Sequence, residues 1–237
     1  MNHLLTKPQA ADASAPSGLL SLAAFEALAL LATLLLTTVL GAISRQASVL
    51  TSPANALPAV AVVAAVFLVL VYPLWPGRLL GGAELVESFW LWAARRVAEA
   101  ALVLVVAAPF FSAAAIFSGE SFGRVGAILA GLSGTAVAAI VYRFFHQGAS
   151  PGWRLVALVD AVAFVFGPLI VGYLVLEFYD TSIGWGWLIS SAALGRELSL
   201  NGLAVGSESF WVGVVGYTAV SLVALAVMWP LVRKPAA

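Results

Sequence analysis

The chain contains no cysteine, only two histidines and only two lysines in 237 residues. Without cysteine there is no disulfide framework, thiolate zinc site, cysteine-ligated iron–sulfur cluster or cysteine nucleophile. The two lysines, Lys7 and Lys234, lie near the chain ends, so no Walker A phosphate loop with its required lysine exists. His3 sits in the polar N-terminal tail and His146 is the one other imidazole, which leaves a Ser-His-Asp triad almost nothing to recruit. The His-Glu-x-x-His zinc motif is absent as well. These absences point away from an enzyme, and no cofactor or metal is expected. Charge is scarce too: 9% of residues are Asp, Glu, Lys or Arg, against about 25% in a soluble domain. Eleven acids balance eleven bases, so the net charge is zero and no basic surface for nucleic acid is expected.

What fills the chain instead is apolar: 62% of residues are hydrophobic and the mean hydropathy is +1.05. The lipid bilayer is the solvent that suits such a composition. Apolar runs of the length needed to cross about 30 Å of hydrocarbon cover residues 19–43, 57–75, 97–117, 125–142, 155–178 and 210–232. The first run exceeds the 7–15-residue core of a cleavable leader and is read as a retained helix. Pro109 and Gly167-Pro168 are expected to kink the third and fifth spans. The expected fold is an all-α polytopic membrane protein, a bundle of six transmembrane helices over residues 19–233. A flexible tail of residues 1–18 precedes it and a short tail of residues 234–237 follows.

Basic residues set the orientation. With six spans, Lys7, Arg78, Arg95, Arg96, Arg143, Arg154, Arg233 and Lys234 share the side of the termini, and Arg45, Arg124 and Arg196 take the other. Eight against three places both termini in the cytoplasm, and a bacterial inner membrane is the expected location.

Two connections exceed a turn. Between the second and third spans, Leu85, Phe89 and Trp92 fall at i, i+4 and i+7, which reads as a cytoplasmic interfacial helix flanked by Glu84 and Glu87. It serves as an amphipathic anchor or as a docking helix for a cytoplasmic partner. The second connection, residues 180–208, is a long outer loop whose Gly184-Trp185-Gly186-Trp187 suits the membrane interface.

Inside the helices, Gly123, Ala127, Gly131, Thr135 and Ala139 recur every four residues along the fourth span. Small residues at that spacing let a second helix approach closely, within the chain or in another subunit. Glu26, Glu99 and Asp160 are the intramembrane acids. They are expected near the cytoplasmic ends of their helices, where three roles are open: pairing with Arg95, Arg96, Arg143 or Arg154, handling a proton or cation, or meeting a partner subunit.

The arrangement resembles the membrane-spanning subunits of ABC-2-type ABC transporters. The resemblance rests on Ala83-Glu84-Leu85-Val86-Glu87-Ser88 followed by Ala94-Arg95-Arg96, and on Ala107-Ala108-Pro109-Phe110 in the third span. The segment 185–208, followed by Phe210-Trp211, is similar to that family's outer connection. The resemblance implies a permease that pairs with a second permease subunit and a separate cytoplasmic ATPase. It puts Glu84, Glu87, Arg95, Arg96 and Glu99 in or beside the coupling segment. Two other readings stand beside it: a non-catalytic subunit of a larger respiratory or photosynthetic membrane complex, and the substrate-capturing subunit of an energy-coupling vitamin importer, with Ala23-x-x-x-Ala27 as a docking face.

Overall fold

A computed structural model describes residues 15–40, 53–75, 89–148 and 151–179, with scattered positions between 215 and 226. Helix α1 spans Ala15–Leu35 and continues as a π-helical stretch, Leu36–Leu40. The second rod is built from a 3-10 turn at Pro53–Asn55, α2 at Ala56–Val66, a π-helical stretch at Phe67–Val71 and the single turn α3 at Tyr72–Leu74. Three long helices follow: α4, Phe89–Ser118; α5, Phe122–Gly148; and α6, Pro151–Tyr179. No strand occurs among the described residues.

Among the described residues, four rods are long and apolar enough to cross a membrane: Gly18–Val39, Pro53–Leu74, Leu91–Ser118 and Phe122–His146. They coincide with the first four expected spans. Helix α6 covers the segment expected as the fifth, and the expected sixth falls almost wholly outside the described residues, as do the outer loop, both tails, Glu84 and Glu87.

Large apolar side chains point outward along the rods, among them Leu20 and Leu28 on α1, Val105 and Ile116 on α4, and Phe178 on α6. Such a surface is stable against lipid and would be an aggregation patch in water. Inward, α1 packs on α2 and α4, α4 on α5, and α5 on α3, its preceding π-helical stretch and α6. One apolar cluster joins Leu30, Ala61, Ala64, Phe111, Ile128 and Leu132. A second, nearer one end, joins Leu22, Leu68, Tyr72, Ala100, Val103 and Ala139. Hydroxyls within the hydrocarbon are satisfied on their own helices. Thr33, Thr37 and Thr38 each donate to a carbonyl four residues earlier, at 2.8, 2.9 and 2.6 Å.

The third span differs from its sequence reading in one respect. The described helix includes Phe89 to Trp92 ahead of Arg95 and Arg96, and the rest of the expected interfacial helix, Leu85 among it, lies outside the described residues. Neither glycine nor proline interrupts Trp92-Ala93-Ala94-Arg95-Arg96, and Glu99 compensates Arg96 inside the bundle. Pro109 lies inside α4, as expected of the third span. In the same way α5 carries Arg143 in its last turns and fully buried.

A tight turn joins α4 to α5. Gly119 adopts φ +74°, its N–H donates to Ile116 O at 3.3 Å, and Glu120 N–H donates to Ala115 O at 2.8 Å. This is a Schellman cap, which satisfies the last carbonyls of α4 and reverses the chain within three residues. Glu120 and Arg124 form an ion pair across the start of α5. A Cβ at Gly119 would meet nothing within 4 Å, so only the left-handed backbone penalises a side chain there. Gly119→Ala is therefore expected to cost about 1 kcal/mol, measured as a lowered thermal midpoint in detergent.

Candidate functional site

The membrane-buried ionisable groups gather at one end of the bundle. Proline chemistry in the second rod begins the arrangement. Pro76 stands four residues after Tyr72 and has no N–H, so the Tyr72 carbonyl lacks its usual helical donor. Pro73 deprives Val69 O in the same way, and here the backbone takes the wider π-helical path, with Tyr72 N–H donating to Phe67 O. The helix ends as Trp75 turns to ψ 124°. Trp75 N–H reaches Tyr72 O at 3.3 Å, and the stronger donor is Arg143 Nη1, at 2.6 Å.

Arg143 rises from the last turns of α5 with its guanidinium 4.9 Å from the Tyr72 ring centroid, a cation–π contact in a dry setting. Its Nε lies 3.4 Å from Glu99 Oε2. The same oxygen accepts from Arg96 Nη1 at 2.6 Å and from the Tyr72 hydroxyl at 3.2 Å. One carboxylate oxygen thus joins three rods: the second span through Tyr72, α4 through Arg96 and Glu99, and α5 through Arg143. Glu99 and Arg143 are fully buried and Arg96 is 9% exposed. Charges so far from water persist only when paired and hydrogen-bonded. Among these contacts, two guanidiniums face one carboxylate.

Aromatic contacts close the same end. Trp92 meets Phe144 edge-on at 5.4 Å, and Phe25 lies 5.9 Å from Phe67 and 5.8 Å from Trp75.

The acids named from sequence take three different situations. Glu99 is the centre of the cluster. Asp160 is exposed on α6 and accepts from the Tyr142 hydroxyl at 2.8 Å, tying α6 to α5. Glu26 is fully buried on α1, and neither of its oxygens makes a hydrogen bond. Arg95 is half-buried one residue before Arg96. Of the small-residue stripe, Ala127, Gly131, Thr135 and Ala139 are buried inside the chain, and Gly123 is exposed at the turn.

Tyr72 and Arg143 complete the cluster; sequence reading offers Arg143 as a partner for the intramembrane acids and does not single out Tyr72. The available signal for Tyr72 is the proline four residues later; for Arg143 it is a lone base close behind an apolar run. Gly119-Glu120-Ser121-Phe122-Gly123 carries a further signal, the Gly-x-Ser-x-Gly spacing of a nucleophile elbow. Here it forms the Schellman turn between two helices. Ser121 is exposed there, and His146 stands at the far end of α5, 25 residues or about 37 Å away. No group of three or more His, Cys, Asp or Glu suited to a metal occurs among the described residues. Compared with known protein families, characterised proteins and solved structures, the chain matches none.

Proposed function

We propose that the chain is the membrane-spanning permease subunit of an ABC-2-like transporter, working with a second permease subunit and a separate cytoplasmic ATPase. The observation that supports this reading is the polar tie at the start of α4. Arg96 and Glu99 stand 8 and 11 residues after Ser88, the last residue of the 81–88 segment that would meet the ATPase, and the Glu99 carboxylate also holds Arg143 of α5 and Tyr72 of the second span. Displacement of the start of α4 by a partner would then be shared by three rods, because breaking the tie exposes buried charge to hydrocarbon. In this reading the chain performs no chemistry of its own and the end bearing the cluster faces the cytoplasm.

A second reading, a non-catalytic subunit of a larger membrane complex, is favoured by the closure of the cluster's contacts within one chain. Arg96, Glu99, Arg143 and Tyr72 engage one another within a single chain, which suits a rigid scaffold.

Gentle extraction of the tagged full-length chain, with mass spectrometry of every stoichiometric partner, separates the two. A Walker A-bearing partner is expected; partners carrying haem, quinone or pigment instead overturn the permease reading. In the assembled complex, Glu87→Arg is expected to lower ATP hydrolysis severalfold while membrane insertion stays intact. Unchanged hydrolysis in that variant would count against the coupling role.

A further inference from the structure

A groove runs between the end of the second rod, the last turns of α5 and the first turns of α6. Its mouth carries Arg154, exposed at the end of the first turn of α6, and His146, half-buried where the α5 span ends. Further in, the lining is Leu70, Leu158 and Ala161. Seven residues of α6 separate Arg154 from Ala161, about 10 Å along the helix axis. Tyr142 forms part of the wall between the two levels, and its hydroxyl donates to Asp160, which stands outside the lining, at 2.8 Å. The groove is therefore basic at the bundle end and apolar toward the membrane interior.

Two observations say what kind of molecule fits. The space is about 240 Å³ and open on one side. Sites that surround a small-molecule ligand hold about 300–1,000 Å³, so this one takes part of a molecule and leaves the remainder outside. Leu74 on one lip, and Leu155 and Val159 on the adjoining face of α6, are exposed apolar side chains, so the remainder meets hydrocarbon. An amphiphile with phosphate at the margin and a chain below it has the matching order of polarity. A guanidinium can donate two parallel N–H bonds to phosphate oxygens, and an imidazole adds a further donor. A zwitterionic headgroup would bring its own ammonium beside Arg154, whereas an acidic headgroup adds no opposing cation.

Helix α6 is also where such an occupant contributes most. Among its described residues only Ala161 and Val165 are buried, both against Val69 of the second rod. A chain lying in the groove supplies dispersion contacts where protein packing is thin.

We infer that this groove binds an acidic phospholipid, with the phosphate between Arg154 and His146 and the upper methylenes of an acyl chain along Leu70, Leu158 and Ala161. The site does not depend on an ATPase, so it stands or falls apart from the permease reading.

The test is native mass spectrometry of the full-length chain, released from detergent micelles supplied with phosphatidylglycerol or phosphatidylcholine. The expected result is one phosphatidylglycerol retained per chain at about fivefold lower lipid concentration than phosphatidylcholine, the worth of one basic residue against an anionic headgroup. Arg154→Gln changes an exposed side chain and should abolish that preference. Leu158→Trp fills the groove while Arg154 stays in place, and should abolish retention of either lipid. Should Leu158→Trp fail to fold, Arg154→Gln carries the test. A preference that survives Arg154→Gln, or retention that survives Leu158→Trp, overturns the site and leaves Arg154 as a side chain that reaches headgroups at large. Equal retention of the two lipids by the unaltered chain, or retention of neither, overturns it as well.

Discussion

Glu99→Leu is expected to destabilise the bundle by about 3–5 kcal/mol, more than any other single substitution in the polar cluster. The ordering follows from charge. Removing Glu99 leaves Arg143, fully buried, and Arg96, nearly so, with no carboxylate between them. Arg143→Leu is the milder change, because it leaves the neutral Arg96–Glu99 pair intact at 2.6 Å. Its cost is the charged hydrogen bond to Tyr72 O, about 1.5–3 kcal/mol, together with about 1 kcal/mol of cation–π contact. The double variant should lose clearly less than the sum of the two, because it retains only Arg96, which is 9% exposed and close enough to the start of α4 for its stem to reach the headgroups. Reversible unfolding in mixed micelles across this cycle measures all three values. If Arg143→Leu proves more damaging than Glu99→Leu, the Tyr72 carbonyl contact organises the cluster and charge compensation does not.

Much of the architecture was readable from composition and run length. Apolar segments of about 20 residues allow one backbone solution in lipid, so the first four spans fall where hydropathy places them. The end of the second span was equally legible, since Tyr72-Pro73-Leu74-Trp75-Pro76 cannot continue a helix. The start of the third span was not. Arg95 and Arg96 read as a membrane margin because a lone guanidinium belongs at the headgroups, and the compensation that draws Arg96 inside comes partly from α5, in a contact between residues 44 apart that no local pattern records. The same limit hid the site. Tyr72 meets Arg143 across 71 residues, and the proline that frees the Tyr72 carbonyl reads simply as a helix terminator. Glu26, Glu99 and Asp160 look alike in sequence as acids in apolar runs; only packing separates the unpartnered one, the shared one and the exposed one. The small-residue stripe of α5 was visible in sequence, but its partner was not. Ala127, Gly131, Thr135 and Ala139 are buried within the chain, and Ala139 lies in the cluster with Tyr72 of the second rod and Ala100 of α4.

That burial sets the second large effect. Ala139 is fully buried in the cluster that holds Tyr72 and Ala100, where α5 meets the second rod and α4. Ala139→Leu forces these helices apart or drives neighbouring side chains off their rotamers, at about 1–3 kcal/mol. In water, part of that strain would be offset by about 0.8 kcal/mol for each methylene removed from solvent. In lipid the offset vanishes, because the hydrocarbon outside is as apolar as the core, so the effect should fall at the upper end of the range. Gly126, on the neighbouring row of α5, supplies the contrast: it is exposed, and a Cβ there meets nothing within 4 Å. Gly126→Leu is expected to be neutral or to stabilise by up to about 1 kcal/mol through helix propensity. Thermal midpoints in nanodiscs should therefore move in opposite directions or, at the least, only for Ala139→Leu. A neutral Ala139→Leu would mean that the stripe does not bring helices into close approach. Loss of an oligomer in Gly126→Leu, with the monomer's stability unchanged, would assign the outer row of α5 to a second copy of the chain, as a paired permease requires.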